Sequence, residues 1–175
     1  MSQHTILTAL GNDRPGLVEE VSQFIFDRGG NIADSRMINL RGQFAIMMLI
    51  GGAANVAGKL QADLDAFSKK TQLQIRLADA QAITASSEPA MPYQLTATAM
   101  DQAGLVHRIA HLLREHRINI ESMDTELTAA PITGAPTFEM KLVMSVPQST
   151  QIARLREKLS TLCDELNIDW QLKML

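Results

Sequence analysis

One cysteine, Cys163, stands among 175 residues. A lone thiol closes no disulfide within the chain, so no covalent staple is available and a reducing cytoplasm is the expected setting. Basic charge is scarce too: 16 lysines and arginines against 19 acidic residues give a formal net charge of −3. With no clustered basic face and no helix–turn–helix pattern, direct nucleic-acid binding is not expected. No apolar run approaches the length of a membrane span. The opening residues Met1-Ser2-Gln3-His4 lack the basic region, apolar stretch and cleavage site of a signal peptide, so no membrane partner is expected. What the chain does have is 46% apolar residues, enough to bury a core in one medium domain or two small ones.

A repeat organises those residues. Sliding the chain by 88 positions aligns 5–40 with 93–128 without a gap. Leu7, Thr8, Ala9, Asp13, Gly16, Leu17, Val18, Asn31 and Ile32 recur as Leu95, Thr96, Ala97, Asp101, Gly104, Leu105, Val106, Asn119 and Ile120. Farther on the offset becomes 95, because the second copy carries extra residues within 129–136; Leu60, Leu64, Phe67 and Leu77 then match Leu155, Leu159, Leu162 and Leu172.

Periodicity reads each copy. Residues 5–10 form a short β-rich run ended by Gly11. Leu17, Val18, Val21, Phe24 and Ile25 fall on one face of a helix, with Asp13 as its expected cap, Pro15 in its first turn and Gly29-Gly30 as its stop. Residues 32–40 and 44–50 read as strands joined by a hairpin at Arg41-Gly42. A second helix carries Val56, Leu60, Leu64 and Phe67, and Leu73, Ile75 and Leu77 alternate as a last strand. The second copy repeats the order at 93–99, 105–117, 120–127, 137–146, 151–166 and 168–174. The fold class predicted is α+β: two tandem ferredoxin-like βαββαβ domains with antiparallel sheets, at 1–79 and 92–175. Residues 80–91, rich in Ala, Ser and Pro, read as the linker.

The loop between the first strand and helix, Gly11-Asn12-Asp13-Arg14-Pro15-Gly16-Leu17-Val18, invites a chemical reading. A helix start leaves backbone N–H groups unpaired, and with the helix dipole they favour an anion such as an amino-acid carboxylate. Gly16 has no Cβ and lets a ligand or another chain approach. Asp13 and Asn31 offer oxygens for a ligand ammonium. The competing reading is structural: a glycine turn needed by the fold alone, with Asp13 as a helix cap.

Asp13-Arg14-Pro15-Gly16-Leu17-Val18 at a strand–helix junction, with Gly29-Gly30-Asn31-Ile32 entering the next strand, resembles the ACT domain, a small regulatory module that often binds amino acids. The resemblance implies a ligand site at Asn12, Asp13, Arg14, Pro15, Gly16, Leu17, Asn31 and Ile32, framed by the loop and the Asn-Ile segment of a neighbouring domain. A possible second site follows at Asp101, Gly104, Leu105, Asn119 and Ile120. There Gln102 and Ala103 replace arginine and proline, and Arg117-Ile118 replace the two glycines, which weakens the case for binding. The segments "TALGNDRPGLV", "GGNIADSRMINL" and "FAIMMLI", followed by a second, weaker ACT domain, are similar to tandem-ACT transcriptional regulators. That resemblance implies a non-enzymatic cytoplasmic repressor with glycine as its effector and no other cofactor. Its implied partner is a DNA-binding transcriptional activator of glycine cleavage genes. Sheet edges that invite pairing suggest a homo-oligomer. Arg14, Arg36 and Arg41 are candidate polar contacts near the site. Two other readings remain open: the regulatory portion of an enzyme such as formyltetrahydrofolate deformylase, for which the chain ends too soon after the second repeat, and a ligand-free assembly module.

Other groupings are weaker. His107, His111 and Glu115 fall at i, i+4 and i+8 on one helix, a spacing that can chelate zinc, but they lack a further ligand and sit on the face opposite the apolar one, so no metal is expected. Cys163 has no histidine partner in any nucleophile motif, and no paired-carboxylate or triad pattern emerges. Alternation along strands explains most of the ten methionines, among them Met37, Met47, Met48, Met140 and Met144, as core or sheet-face residues, the other reading being an adaptable contact surface.

Overall fold

The computed structural model describes residues 4–53, 55–80, 88–129 and 134–175. The chain forms two compact units, Met1–Ile83 and Thr84–Leu175. In the first, β1 (Thr5–Asn12), α1 (Leu17–Phe26), β2 (Gly30–Leu40), β3 (Gln43–Gly52), α2 (Val56–Thr71) and β4 (Gln74–Asp79) build an antiparallel sheet of order β2-β3-β1-β4. In the second, β5 (Ala90–Met100), α3 (Leu105–Glu115), β6 (Asn119–Ala129), β7 (Pro136–Pro147), α4 (Ile152–Leu166) and β8 (Asp169–Met174) give the order β6-β7-β5-β8. Each unit is βαββαβ, as its periodicity predicts.

Alternation sets the face each strand buries. Leu7 and Ala9 of β1 lie opposite Met48 and Ile46 of β3, and all four are buried. Leu17, Val21, Phe24 and Ile25 of α1 and Leu60, Leu64 and Phe67 of α2 close over them. The Phe24 and Phe67 rings stack with centroids 4.1 Å apart and hold the two helices together. Each large side chain so buried stabilises the unit by roughly 1.5–3 kcal/mol. The second unit has its own core of the same design, with Leu95, Leu105, Ile109, Leu142, Leu155 and Cys163 among its buried residues. Met48, Met140 and Met144 are core residues, whereas Met37 and Met47 are exposed.

Backbone chemistry fixes the turns. Arg41 and Gly42 both have positive φ, 49° and 80°, between the paired Leu40 and Gln43. That is the two-residue hairpin whose twist suits the flanking strands. Gly29 (φ 77°) donates its N–H to the Phe26 carbonyl at 2.9 Å and ends α1. Gly30 answers a different need: a Cβ there would stand 2.7 Å from Ile25 Cγ2. Both β2 and β6 bulge at equivalent places, after Ile32 and after Ile120.

Two expectations change. Asp13 does not cap α1: the residue preceding the helix is Gly16 at φ 91°, no side chain caps it, and Pro15 lies before the first turn. The left-handed glycine turns the chain so that Asp13 faces the β2–β3 hairpin instead. Strand β5 also begins at Ala90, inside the stretch read as linker. Pro92 is tolerated because there β5 pairs only with β7, and pairing with β8 starts at Tyr93, so the missing N–H faces no strand. Residues 81–87 of that linker and 130–133 of the extra segment lie outside the described residues.

Candidate functional site

The loop from β1 to α1 is laced to the β2–β3 hairpin. Asp13 N–H donates to the Gly42 carbonyl at 2.8 Å. The Asn39 amide donates to the Asp13 carboxylate, and its oxygen accepts from Gly42 N–H at 3.2 Å. Gln43 donates to Asn12 Oδ1 at 2.7 Å. The antiparallel register places these groups side by side, since Asn12 pairs with Gln43 and Asn39 with Phe44.

Across the mouth of the loop Arg14 reaches Glu20 of α1 with two parallel contacts, Nη1–Oε1 at 2.5 Å and Nη2–Oε2 at 3.0 Å. This fork-on-fork geometry is the strongest form such a pair takes. It holds the Glu20 carboxyl below its ordinary range and raises the already high Arg14 pKa. Arg14, but not Glu20, lines an open cavity of about 480 Å³ whose lining also includes Asp13, Gly16, Leu17, Met37 and Phe44. The first-turn N–H groups of α1 have no intrahelical partner and carry the positive end of the helix dipole. A cation, a carboxylate and free amides thus surround one concavity, a combination suited to a small zwitterion.

The expected site residues divide. Asp13, Arg14, Gly16 and Leu17 line the cavity together, while Asn12 and Pro15 belong to the same loop. Leu17 is only 1% exposed, so it offers backbone rather than side chain. Asn31 and Ile32 are elsewhere: Asn31 pairs with Gly51, eight residues along β2 from Asn39, or about 26 Å at the rise of a strand. Ile32 packs on the core. The two halves of the motif therefore sit at opposite ends of their own sheet. Arg36 binds Asp34 at 2.5 Å and does not line the cavity. Sequence reading missed Glu20, Met37 and Asn39. Only the strand register, with α1 starting at Leu17, brings them to the loop.

The second loop keeps the backbone and loses the chemistry. Gly104 has φ 92°, nearly the value of Gly16. Gln102 stands where Arg14 does and donates to the Leu166 carbonyl at 2.8 Å. Arg108 stands where Glu20 does and pairs with Glu165 at 3.1 Å. Leu105 is buried and Ile120 packs on the core. Asp101 N–H donates to the Pro136 carbonyl at 3.0 Å. Asn119 is tied to Glu121 at 2.7 Å, and Ser145 donates to the same carboxylate oxygen at 2.8 Å. Those two bonds hold the Glu121 carboxyl below its ordinary range.

On α3, His111 Nε2 lies 3.4 Å from Glu115 Oε1 and 6.1 Å separates the His107 and His111 ring centres. Among the described residues no three His, Cys, Asp or Glu side chains are grouped to hold a metal, and no helix is long and apolar enough to cross a membrane. Cys163 is buried, and that burial pushes its thiol up to about 11.

Residues 3–78 match the family model described as ACT domain. The chain is 29% identical over 169 residues to the glycine cleavage system transcriptional repressor of Escherichia coli (strain K12), covering 95% of this chain and 87% of that protein. The protein of the same name from Shigella flexneri matches equally. A crystal structure provisionally given that name superposes with a TM-score of 0.73 at 22% identity, over 100% of this chain and 98% of its own. An unknown protein from Galdieria sulphuraria superposes with a TM-score of 0.82 at 24% identity, over 100% and 99%. At those identities the structural likenesses bear on fold alone.

Proposed function

We propose that the chain is a tandem ACT-domain protein, on the family match over residues 3–78 and the same fold repeated in the second unit, and that it is an amino-acid-responsive repressor of glycine cleavage genes. It acts through a DNA-binding protein partner rather than on DNA. Similarity to a repressor of that system over 95% of this chain and 87% of the relative supports the reading, and the net charge of −3 suits an indirect role.

The first loop carries the sensing half of the proposal. The ligand carboxylate takes the first-turn amides of α1, and Asp13 takes the ammonium. Arg14 is poised to exchange Glu20 for the ligand carboxylate, a swap between partners of like charge. A side chain as small as glycine's leaves the backbone at Gly16 accessible. The observation that carries this is the asymmetry between copies: the left-handed glycine recurs at Gly104, but the ion pair beside it does not. Regulation then requires only that the ligand bind one partner-competent state more tightly than another.

Calorimetric titration with glycine, serine and alanine tests the reading, with Asp13→Ala as the control variant. Saturable heat with glycine, lost in a variant whose melting is unchanged, is expected. Absence of heat with all three, together with unshifted melting, rejects the sensor.

A further inference from the structure

In each sheet the helices cover one face and leave the other open. On the first sheet the open face presents Ile6, Leu10, Ile38, Ala45, Met47 and Leu49 in adjoining rows of the strand register. Leu10, Ile38 and Met47 are 46%, 56% and 53% exposed, and a shallow concavity of about 420 Å³ runs among them. The register names the equivalents in the second sheet: Gln94, Thr98, Glu126, Glu139, Lys141 and Val143. Five of the six positions have become polar. The helix-covered faces behave oppositely, since Leu7, Ala9, Phe44 and Met48 correspond to Leu95, Ala97, Phe138 and Leu142, all apolar. Packing keeps the covered faces apolar in both units, so the feature that needs a reason is the apolar open face of the first sheet. An exposed apolar patch of this kind in a soluble chain marks a contact surface.

We propose that this open face is a self-association surface, on which two copies of the chain pack first sheet to first sheet. Its charges fit a second copy better than an acidic or basic partner. Asp34 and Arg36 occupy successive rows of β2 and neutralise each other at 2.5 Å, leaving Arg76, among the described residues, as the unpaired charge on the face. A two-fold axis crossing the strands between those rows sets each Asp34 opposite the other copy's Arg36. The same axis sets Leu49 opposite Met47. The result is a closed square of alternating charge beside an apolar seam, an isologous arrangement. Two like-twisted sheets about 10 Å apart interdigitate their side chains. Four strands at ~4.8 Å spacing and the two rows that the axis sets face to face, at ~6.8 Å each, give about 260 Å² per copy. That is about a third of the area of a standard interface per partner, so the dimer is weak, with a dissociation constant above the micromolar range.

Sedimentation velocity on the full chain, over a concentration series bracketing that constant, tests this. Wild type is expected to pass from monomer to dimer. Met47→Glu and Asp34→Arg, each placing like or unpaired charge in the seam, are expected to raise the dissociation constant at least ~10-fold. The double swap Asp34→Arg with Arg36→Asp restores it to within about threefold of wild type, a result that loss of folding cannot mimic. Thr96→Glu, on the open face of the second sheet, leaves it unchanged. A wild-type chain that stays monomeric overturns the proposal. A dimer indifferent to Met47→Glu, or a double swap that fails to restore pairing, overturns it as well.

Discussion

Replacing Gly16 by alanine separates the two jobs that its loop combines. The residue sits at φ 91°, and a Cβ built there meets only Glu20 Oε1, at 3.8 Å. Steric contact with neighbours therefore contributes almost nothing, and the cost is the backbone's own. A non-glycine residue held left-handed loses about 1–2 kcal/mol, and more where φ exceeds the usual left-handed value. Alanine also narrows the unfolded ensemble, which returns roughly 0.5 kcal/mol. The net expectation is about 1.5 kcal/mol of destabilisation, read from the urea midpoint at unchanged slope. Gly104→Ala is the matched control: φ is 92° and nothing lies within 4 Å of its Cβ, so the same figure applies to the second unit.

The ligand readout then splits the pair. If the first loop binds a small amino acid through backbone exposed at Gly16, the new methyl group weakens glycine affinity at least ~10-fold, while Gly104→Ala leaves affinity alone. Equal stability losses with equal, unchanged affinities would mean that both glycines serve the turn only. A Gly16→Ala chain as stable as wild type would refute the backbone argument itself.

Three further outcomes follow from the same geometry. Asn39→Ala removes the donor to Asp13 and the acceptor for Gly42 N–H, and is expected to cost the first unit about 1 kcal/mol in urea unfolding while sparing the second. Because Arg14 lowers the folded Glu20 pKa from an ordinary 4.5, their pairing contributes fully above that value and fades as the pH falls through the folded one. The stability gap between wild type and Arg14→Gln should thus be flat from about pH 5.5 to 7.5 and shrink below about pH 4.5; a gap that widens on acidification would contradict the pairing. Cys163, buried with a thiol pushed up to about 11, should ignore a chromogenic disulfide reagent at pH 8 until denaturant is added, since only about a thousandth of it is thiolate there.

The fold was legible because it rests on local periods. Leu17, Val21, Phe24 and Ile25 recur at helical spacing, Phe44, Ile46, Met48 and Ile50 alternate, and Arg41-Gly42 has the chemistry of a two-residue hairpin; each period survives duplication. The site was legible only in part. The glycine of the loop announced a turn, but whether Asp13 would cap α1 or bond Asn39 depends on where the hairpin lands beside the loop, and the two residues are 26 positions apart. Arg14 and Glu20 are six apart, a separation with no standing in helical or strand periodicity, and they meet because the left-handed Gly16 turns the loop back over the first turn of α1. The apolar open face escaped notice for the opposite reason. Alternation in Ile6, Leu10, Met47 and Leu49 is masked by apolar residues on both faces of the strand, so the sequence looks uniformly buried there.

The Asn-Ile segment poses a sharper question, because its two copies have parted company chemically. In the second unit Asn119 and Ser145 both bond Glu121, which ties one amide N–H of the asparagine to a partner. By register the first unit has Asn31, Gly51 and Ala33 in those places, and Asn31 is exposed with no side-chain hydrogen bond among the described residues. A ligand can recruit a free amide cheaply and a tied one only by breaking a bond. Ala33→Glu installs the missing carboxylate on the bulge of β2, two residues from Asn31, where a surface change of this kind moves stability by no more than about 0.5 kcal/mol. If Asn31 contributes to amino-acid binding, the variant loses affinity without losing stability, and Ala33→Gln, uncharged and a weaker acceptor, loses less. Unchanged affinity in both would remove Asn31 from the site and leave Asp13, Arg14 and the first turn of α1 to hold the ligand alone.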